Sequence, residues 1–112
     1  TSESYLDRAA IDAQYTEFYE SYNREQHEVA YNLMSPTYRQ THTVEEFKSG
    51  FLNEPSIEPL EPYHSIELSD NEACLFPRNQ WNMGLFGSGT EFELEKVEGV
   101  WYFTGEYKLY LD

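Results

Sequence analysis

The closing segment of the chain, residues 90–112, is the feature that most constrains the fold. Residues 90–97 (TEFELEKV) alternate apolar and acidic side chains, and residues 100–111 alternate again after Glu98-Gly99. Alternation with a period of two is typical of a β-strand with one buried face, and an acidic-Gly pair between two such runs indicates a tight hairpin turn. The predicted inner face of the closing strand carries Trp101, Phe103, Tyr107, Leu109 and Leu111.

The opposite face of this closing strand is also rather apolar. A sheet whose second face is apolar usually meets another layer or another subunit. The sequence therefore predicts that this outer face meets another layer or another subunit, which leaves a homodimer as one of the options. The residues that this face contributes are Val100, Tyr102, Thr104, Lys108 and Tyr110.

A second hairpin is predicted upstream, in residues 63–76 (YHSIELSDNEACLF). Asp70-Asn71 has the composition of its turn, since both residue types tolerate a positive φ. The second strand of this hairpin is expected to run from residue 73 to residue 83, with a bulge or an edge at Pro77. Strand parity places three side chains on one inward face, namely His64, Ile66 and Leu68.

The first half of the chain has helical patterns. Apolar side chains recur at helical spacing between residues 4 and 23, a stretch without Pro or Gly. A second, short helix is expected to end at Ser35-Pro36, and residues 37–41 are expected to be extended. Thr43 and Glu46 are expected to form a capping box at the start of a third helix, which runs through Phe51. Helices followed by antiparallel strands predict a single α+β domain over residues 1–112.

Composition narrows the choice of partners. Seven basic residues against twenty-one acidic residues give a net charge of −14. Nucleic acids and anionic membrane surfaces are bound by clustered Lys and Arg, so neither is an expected partner. No segment approaches the ~20 apolar residues of a membrane span. A single cysteine, Cys74, excludes a disulfide within the chain. The sequence leaves two cellular locations open, the cytoplasm and export after removal of a leader.

Four stretches resemble the nuclear transport factor 2-like superfamily, also called the cystatin-like cone fold. They are residues 7–26 (DRAAIDAQYTEFYESYNREQ), 27–40 (HEVAYNLMSPTYRQ), 43–51 (TVEEFKSGF) and 90–107 (TEFELEKVEGVWYFTGEY). The resemblance implies N-terminal helices packed in the concave face of a curved, mostly antiparallel sheet, which together form a cone with a pocket. It also implies dimerisation through the outer sheet face, which is common in the superfamily. Its members include isomerases, dehydratases, transport carriers and accessory domains, so the fold does not fix the function.

A pocket in this fold would lie between the first helix and the sheet. Tyr hydroxyls on the helix, facing aromatic side chains on the last strand, would line an amphipathic cavity suited to a small hydrophobic or aromatic ligand. The same aromatic stripe on the helix is also the pattern of a filled core. The predicted pocket lining consists of Tyr15, Tyr19, His64, Trp101, Phe103 and Tyr107.

The sequence leaves three functions open. The first is a non-enzymatic domain that binds a small molecule or serves as an accessory or interaction module. The second is a lyase or isomerase with Tyr15 or Tyr19 as donor and His64 as base. The family's isomerases place a carboxylate base at the turn after the second helix, where this chain has residues 35–37 (SPT), and this difference favours the non-enzymatic function. The third is a structural dimerisation module.

Neither a metal nor another cofactor is expected. His42, His64 and Cys74 lie far apart in the chain and lack the spacing of a ligand set. The glycines at 84, 87 and 89 precede a strand rather than a helix, so they indicate a hairpin loop and not a phosphate-binding loop.

Overall fold

The computed structural model describes residues 2–50, 65–76 and 89–110, with the side chains of all of these except residues 2–4, 89–90 and 107–110. Four helices precede four strands. The strands form one antiparallel sheet in the order β1-β2-β3-β4, which confirms the predicted α+β class. The elements are α1 (Ser2–Asn23), α2 (His27–Tyr31), α3 (Pro36–Thr41), α4 (Val44–Gly50), β1 (Ser65–Leu68), β2 (Glu72–Phe76), β3 (Gly89–Val97) and β4 (Val100–Tyr110).

The core lies between α1 and the inner face of the sheet. The helical stripe predicted on α1 is buried there, and so are alternate residues of all four strands. Aromatic rings make the closest contacts, since Phe18 of α1 stacks on Phe103 of β4 with ring centroids 4.5 Å apart. Phe47 of α4 also packs against Phe18, with the two ring centroids 6.4 Å apart. The helices are therefore held to the sheet mainly by the burial of large aromatic side chains.

Both predicted hairpins are confirmed. β3 and β4 join through Glu98 and Gly99, whose φ angles are 51° and 83°. Two positive φ values are what a type I′ turn requires, and this turn matches the right-handed twist of the flanking strands. β1 and β2 pair up to Leu68 and Ala73, with Asp70-Asn71 in the connection between them. Neither Asp70 nor Asn71 has a positive φ, so the connection does not use the conformation for which these two residues were chosen. The predicted continuation of the second strand past Phe76, including Pro77, lies outside the described residues.

β4 is bulged opposite β3. Phe92 pairs with Tyr107 whereas Leu94 pairs with Phe103, so three residues of β4 lie opposite Glu93. The middle one is Gly105, with a φ of 93°. Because two extra residues are inserted, side chains on both sides of the bulge keep the same inward or outward parity.

The outer edge of β4 is covered by the connection between α2 and α3. Met34 forms an isolated parallel bridge to Phe103. The N–H of Ser35 donates to the Phe103 carbonyl at 2.7 Å, and the N–H of Phe103 donates to the Leu33 carbonyl at 3.0 Å. This short pairing satisfies backbone groups that an edge strand would otherwise present to other chains.

The prediction that residues 37–41 are extended is wrong. Pro36–Thr41 form α3, and the side chain of Ser35 accepts a hydrogen bond from the N–H of Tyr38 as its N-cap. Proline is favoured in the first turn of a helix, because its missing N–H has no partner there in any case. Ser35-Pro36 therefore starts a helix, whereas the prediction treated it only as the end of the preceding one.

The capping box before α4 is confirmed. The N–H of Thr43 donates to Glu46 Oε1 at 2.8 Å, and the N–H of Glu46 donates to Thr43 Oγ1 at 3.1 Å. The reciprocal pair satisfies two donors that a helix N-terminus leaves without partners. Phe51, where the prediction ended this helix, lies outside the described residues.

Candidate functional site

The residues predicted to line a pocket are found mainly in the core. Tyr15, Trp101 and Phe103 each expose 2% or less of their surface, and Tyr19 is half-buried against the same cluster. The Tyr15 ring lies 5.5 Å from that of Tyr19 and 6.5 Å from that of Phe103, centroid to centroid. The structure thus brings together four of the six predicted residues within or against one packed cluster.

The other two predicted residues are less fully described. His64 lies outside the described residues. Tyr107 belongs to β4, where its backbone pairs with that of Phe92, and its side chain is not among those described. The inward role that strand parity gave to each of these side chains stays a prediction.

Phe18 and Phe92 hold the aromatic cluster together and were not among the predicted site residues. Their centroids are 6.2 Å apart, and Phe92 lies 5.6 Å from Tyr15 and 5.8 Å from Phe103. Both residues belong to stripes that the sequence shows, the helical stripe of α1 and the alternation of β3. The prediction gave the ligand contacts to their neighbours.

Trp101 has its polar group occupied by the protein. Its Nε1–H donates to Asp7 Oδ1 at 3.1 Å, and the ammonium of Lys96 donates to the same oxygen at 3.1 Å. The hydrogen bond from Trp101 and then that from Lys96 lower the pKa of the Asp7 carboxyl. This arrangement ties the first turns of α1 to the last hairpin, and it uses the indole N–H that a ligand would otherwise contact.

The outer face of the sheet carries carboxylates on three adjacent strands. Glu67 of β1, Cys74 of β2 and Glu93 of β3 lie directly opposite one another across the strands. Glu72 and Glu95 form a second row on the same face, and that row continues to Tyr102 of β4. Glu72 and Glu95 are like charges directly opposite each other, an arrangement that destabilises a sheet, so β2 and β3 keep this pair at some cost in stability. The paired carboxylates therefore give the outer face a strongly negative character.

The Cys74 thiol reports this negative potential. Its pKa is raised to about 11, first by burial, then by a hydrogen bond with Glu91 and by the charges of Glu91, Glu93 and Glu67. A thiol with a raised pKa is a poor nucleophile and a poor metal ligand, because both roles need the thiolate. Within the described ranges, no group of three or more His, Cys, Asp and Glu side chains is arranged to hold a metal ion.

A cation lies at the β4 end of the same face. The guanidinium of Arg39 is centred 5.7 Å from the ring centroid of Tyr102, and its Nε–H donates to the carbonyl of Met34 at 2.9 Å. Arg39 is therefore held by an aromatic face and a backbone carbonyl on the outer side of β4, away from the aromatic core.

Comparison of the chain with protein-family models, with curated proteins and with solved structures finds no match. The resemblance to the nuclear transport factor 2-like superfamily therefore stays a prediction. None of the helices among the described residues has the length and apolar character needed to cross a membrane.

Proposed function

We propose that the chain is a non-enzymatic interaction domain of the nuclear transport factor 2-like kind, which contacts a positively charged partner through the outer face of its sheet. The observation that carries this proposal is the pairing of Glu67, Cys74 and Glu93 across three strands, with Glu72 and Glu95 beside them. Glu67, Glu72 and Glu93 are exposed among the described residues. A surface dominated by one sign of charge, as this face is over β1–β3, attracts a partner of the opposite sign and speeds its association.

The packing of the aromatic cluster supports a surface function over a ligand pocket. Tyr15 is 1% exposed and Phe18 is completely buried, so a ligand between α1 and the sheet would have to displace them. Displacing packed aromatic side chains forfeits the burial that holds α1 in place. A small hydrophobic or aromatic ligand is accordingly the second choice for this chain.

The lyase or isomerase alternative meets the same obstacle. Such chemistry needs a donor and a base within hydrogen-bond reach of a bound carbon acid. Tyr15, one of the two candidate donors, has its ring enclosed by Tyr19, Phe92 and Phe103. A substrate would reach the Tyr15 hydroxyl only if the core opened, and this requirement counts against Tyr15 as the donor. Tyr19, the other candidate donor, is half-buried and does not meet this obstacle in full.

The homodimer alternative would place two outer faces against each other. A twofold axis brings the same patch of both copies together. If the axis passed near Glu67 and Glu93, these carboxylates of one copy would face the acidic surface of the other, and like charges at an interface are unfavourable. A partner that supplies Lys or Arg has no such penalty, which is why a cationic partner is preferred over a second copy.

The test compares two double variants with the same change in charge. Glu67→Gln/Glu93→Gln removes two carboxylates from the outer face, and Glu17→Gln/Glu20→Gln removes two from α1. Binding of an octalysine peptide is measured by isothermal titration calorimetry at low salt. We expect the sheet variant to bind about three- to tenfold more weakly than wild type, with the α1 variant within twofold. Equal losses in both variants would mean that octalysine senses only the net charge, and the proposal would be rejected.

A further inference from the structure

A cleft of about 340 Å³ opens on the helical part of the molecule, away from the outer sheet face. One wall consists of residues 25–29, which form the end of the α1–α2 connection and the start of α2. The other wall is the first part of α4, with Val44, Glu45 and Lys48. The volume is within the range of ligand-binding clefts, which starts at roughly 300 Å³. None of the functions considered above uses this cleft.

The cleft has an apolar part that two helices build together. Val29 of α2 is 41% exposed, one of the more exposed large hydrophobic side chains among the described residues. Val44 of α4 also lines the cleft and is half-buried. Two valines from different elements in one recess give a site for an aliphatic stem, which would bury apolar surface there at roughly 25 cal/mol per Å².

The rim of the cleft is acidic. Glu25, Glu28 and Glu45 line it, against a single lysine among the lining residues, Lys48. Lys48 lies 3.9 Å from Glu45 with both side chains largely exposed, so this pair offsets little of the negative charge. The last turn of α1, which leads into the cleft, contains no basic residue. Arg24 follows this turn directly and is not among the residues that line the cleft.

We propose that this cleft binds a lysine side chain of a partner polypeptide. The four-carbon stem would lie against Val29 and Val44, with the ammonium among Glu25, Glu28 and Glu45. Lysine fits better than arginine, because an ammonium presents three donors that rotate freely toward three separate carboxylates, whereas a guanidinium favours one bidentate partner. The choice of a polypeptide rests on the proposed interaction function, whereas the choice of an alkylammonium rests on the cleft alone.

The experiment is a titration followed by backbone amide chemical shifts. The probes are acetyl-Gly-Lys-Gly-amide, its norleucine analogue, which keeps the stem and lacks the charge, and butylamine, which lacks the peptide. We expect the lysine peptide to shift the amides of residues 25–29 and 44–48 more than those of β1–β3. Binding of the norleucine peptide is expected to be at least tenfold weaker, and butylamine is expected to bind more weakly than the lysine peptide.

Three variants locate the site. Glu25→Gln/Glu28→Gln is expected to weaken binding of the lysine peptide about two- to tenfold. Glu67→Gln/Glu93→Gln, with the same change in charge on the outer sheet face, is expected to leave it within twofold. Amide shifts outside the cleft report whether each variant keeps its fold, and Val29→Ser, which leaves the carboxylates in place, is expected to weaken binding as well.

Three results would overturn the inference. Shifts as large on the outer face as in the cleft would mean diffuse attraction to an acidic protein. Equal affinity for butylamine and the lysine peptide would assign the cleft to free amines instead of a polypeptide. An unchanged affinity in both Glu25→Gln/Glu28→Gln and Val29→Ser would place the lysine elsewhere. The octalysine comparison of the sheet and α1 variants tests the outer face separately, so failure of one proposal is distinguishable from failure of the other.

Discussion

Gly105 is the described glycine whose identity is most tightly fixed by its surroundings. Its φ of 93° is rarely adopted by other residues, and a Cβ at this position would lie 2.4 Å from a carbon of the Tyr38 ring. Tyr38 cannot easily move away, since its ring stacks on His42 at 4.1 Å between centroids. Two separate constraints, one of the backbone and one of packing, therefore act on the same position.

We expect Gly105→Ala to lower the free energy of unfolding by about 1–3 kcal/mol for the backbone and by about 1–3 kcal/mol for the overpacking. Urea unfolding of Gly105→Ala measures the sum. The same substitution made in a Tyr38→Ala background retains the backbone part alone, so its effect should be clearly smaller. Equal effects in the two backgrounds would show that the Tyr38 ring gives way without cost.

Cys74 provides a chemical measurement of the outer-face potential. With its pKa raised to about 11, we expect the thiol of the folded protein to react with iodoacetamide at pH 8 about 100-fold more slowly than that of the urea-unfolded chain, because only the thiolate reacts. Glu91→Gln should speed the reaction of the folded protein, since it removes one of the groups that raise the pKa. Burial is the largest cause of the raised pKa, so the comparison of folded and unfolded chains tests burial and potential together. An unchanged rate in Glu91→Gln would contradict the proposed negative potential on this face.

At the scale of elements, Asp7 joins α1 to the β3–β4 hairpin through Trp101 and Lys96. The pKa of Asp7 is lowered in the folded protein, so the folded state favours the charged carboxylate. The stabilisation from this group is present above the ordinary pKa of an aspartate, and it is lost as the pH falls through the lowered value.

We therefore expect Asp7→Asn to be less stable than wild type at pH 6, with a difference that shrinks as the pH falls below 4. Urea unfolding of both proteins over pH 2–7 measures it. Asp70→Asn, at an exposed position of the β1–β2 turn, is the control and should show a smaller dependence on pH. A difference for Asp7→Asn that stays constant over the whole range would mean that the carboxylate charge plays no part.

Several elements could be predicted from the sequence because their signals are local. The Glu98-Gly99 turn, the capping box of Thr43 and Glu46, and the alternation of β3 each depend on residues close together in the chain. The start of α3 was equally local, yet Ser35-Pro36 ends one helix as readily as it begins another. The need for glycine at 105 could not be predicted, because the ring that leaves no room for a side chain there belongs to Tyr38, which is distant in the sequence.

In the candidate site, too, some features could be predicted from local patterns, whereas others depend on tertiary packing. Periodicity correctly placed Tyr15, Phe18, Trp101 and Phe103 on inward faces. Periodicity does not tell a filled core from a lined cavity, since the same side chains point inward in both. The cleft beside α2 was missed for a related reason, because its two walls come from helices whose mutual position depends on packing.

At the scale of the whole molecule, charge is expected to govern self-association. With a net charge of −14, we expect the chain to be a monomer at micromolar concentration and pH 7, by size-exclusion chromatography with light scattering. Near the sequence pI of about 4.4, the carboxylates are partly protonated and association should increase. A stable dimer at pH 7 and physiological salt would favour the structural dimerisation module over the cationic partner.

The position of β4 has a consequence for synthesis on the ribosome. α1 buries its aromatic stripe against β4, and Leu33 and Ser35 hydrogen-bond to Phe103 of that strand. The helices therefore leave the ribosome well before the strand that covers them, and contacts between distant parts of a chain form slowly. Until β4 emerges, Tyr15 and Phe18 cannot make their native contacts with that strand. We expect the nascent chain to depend most on chaperones during this interval.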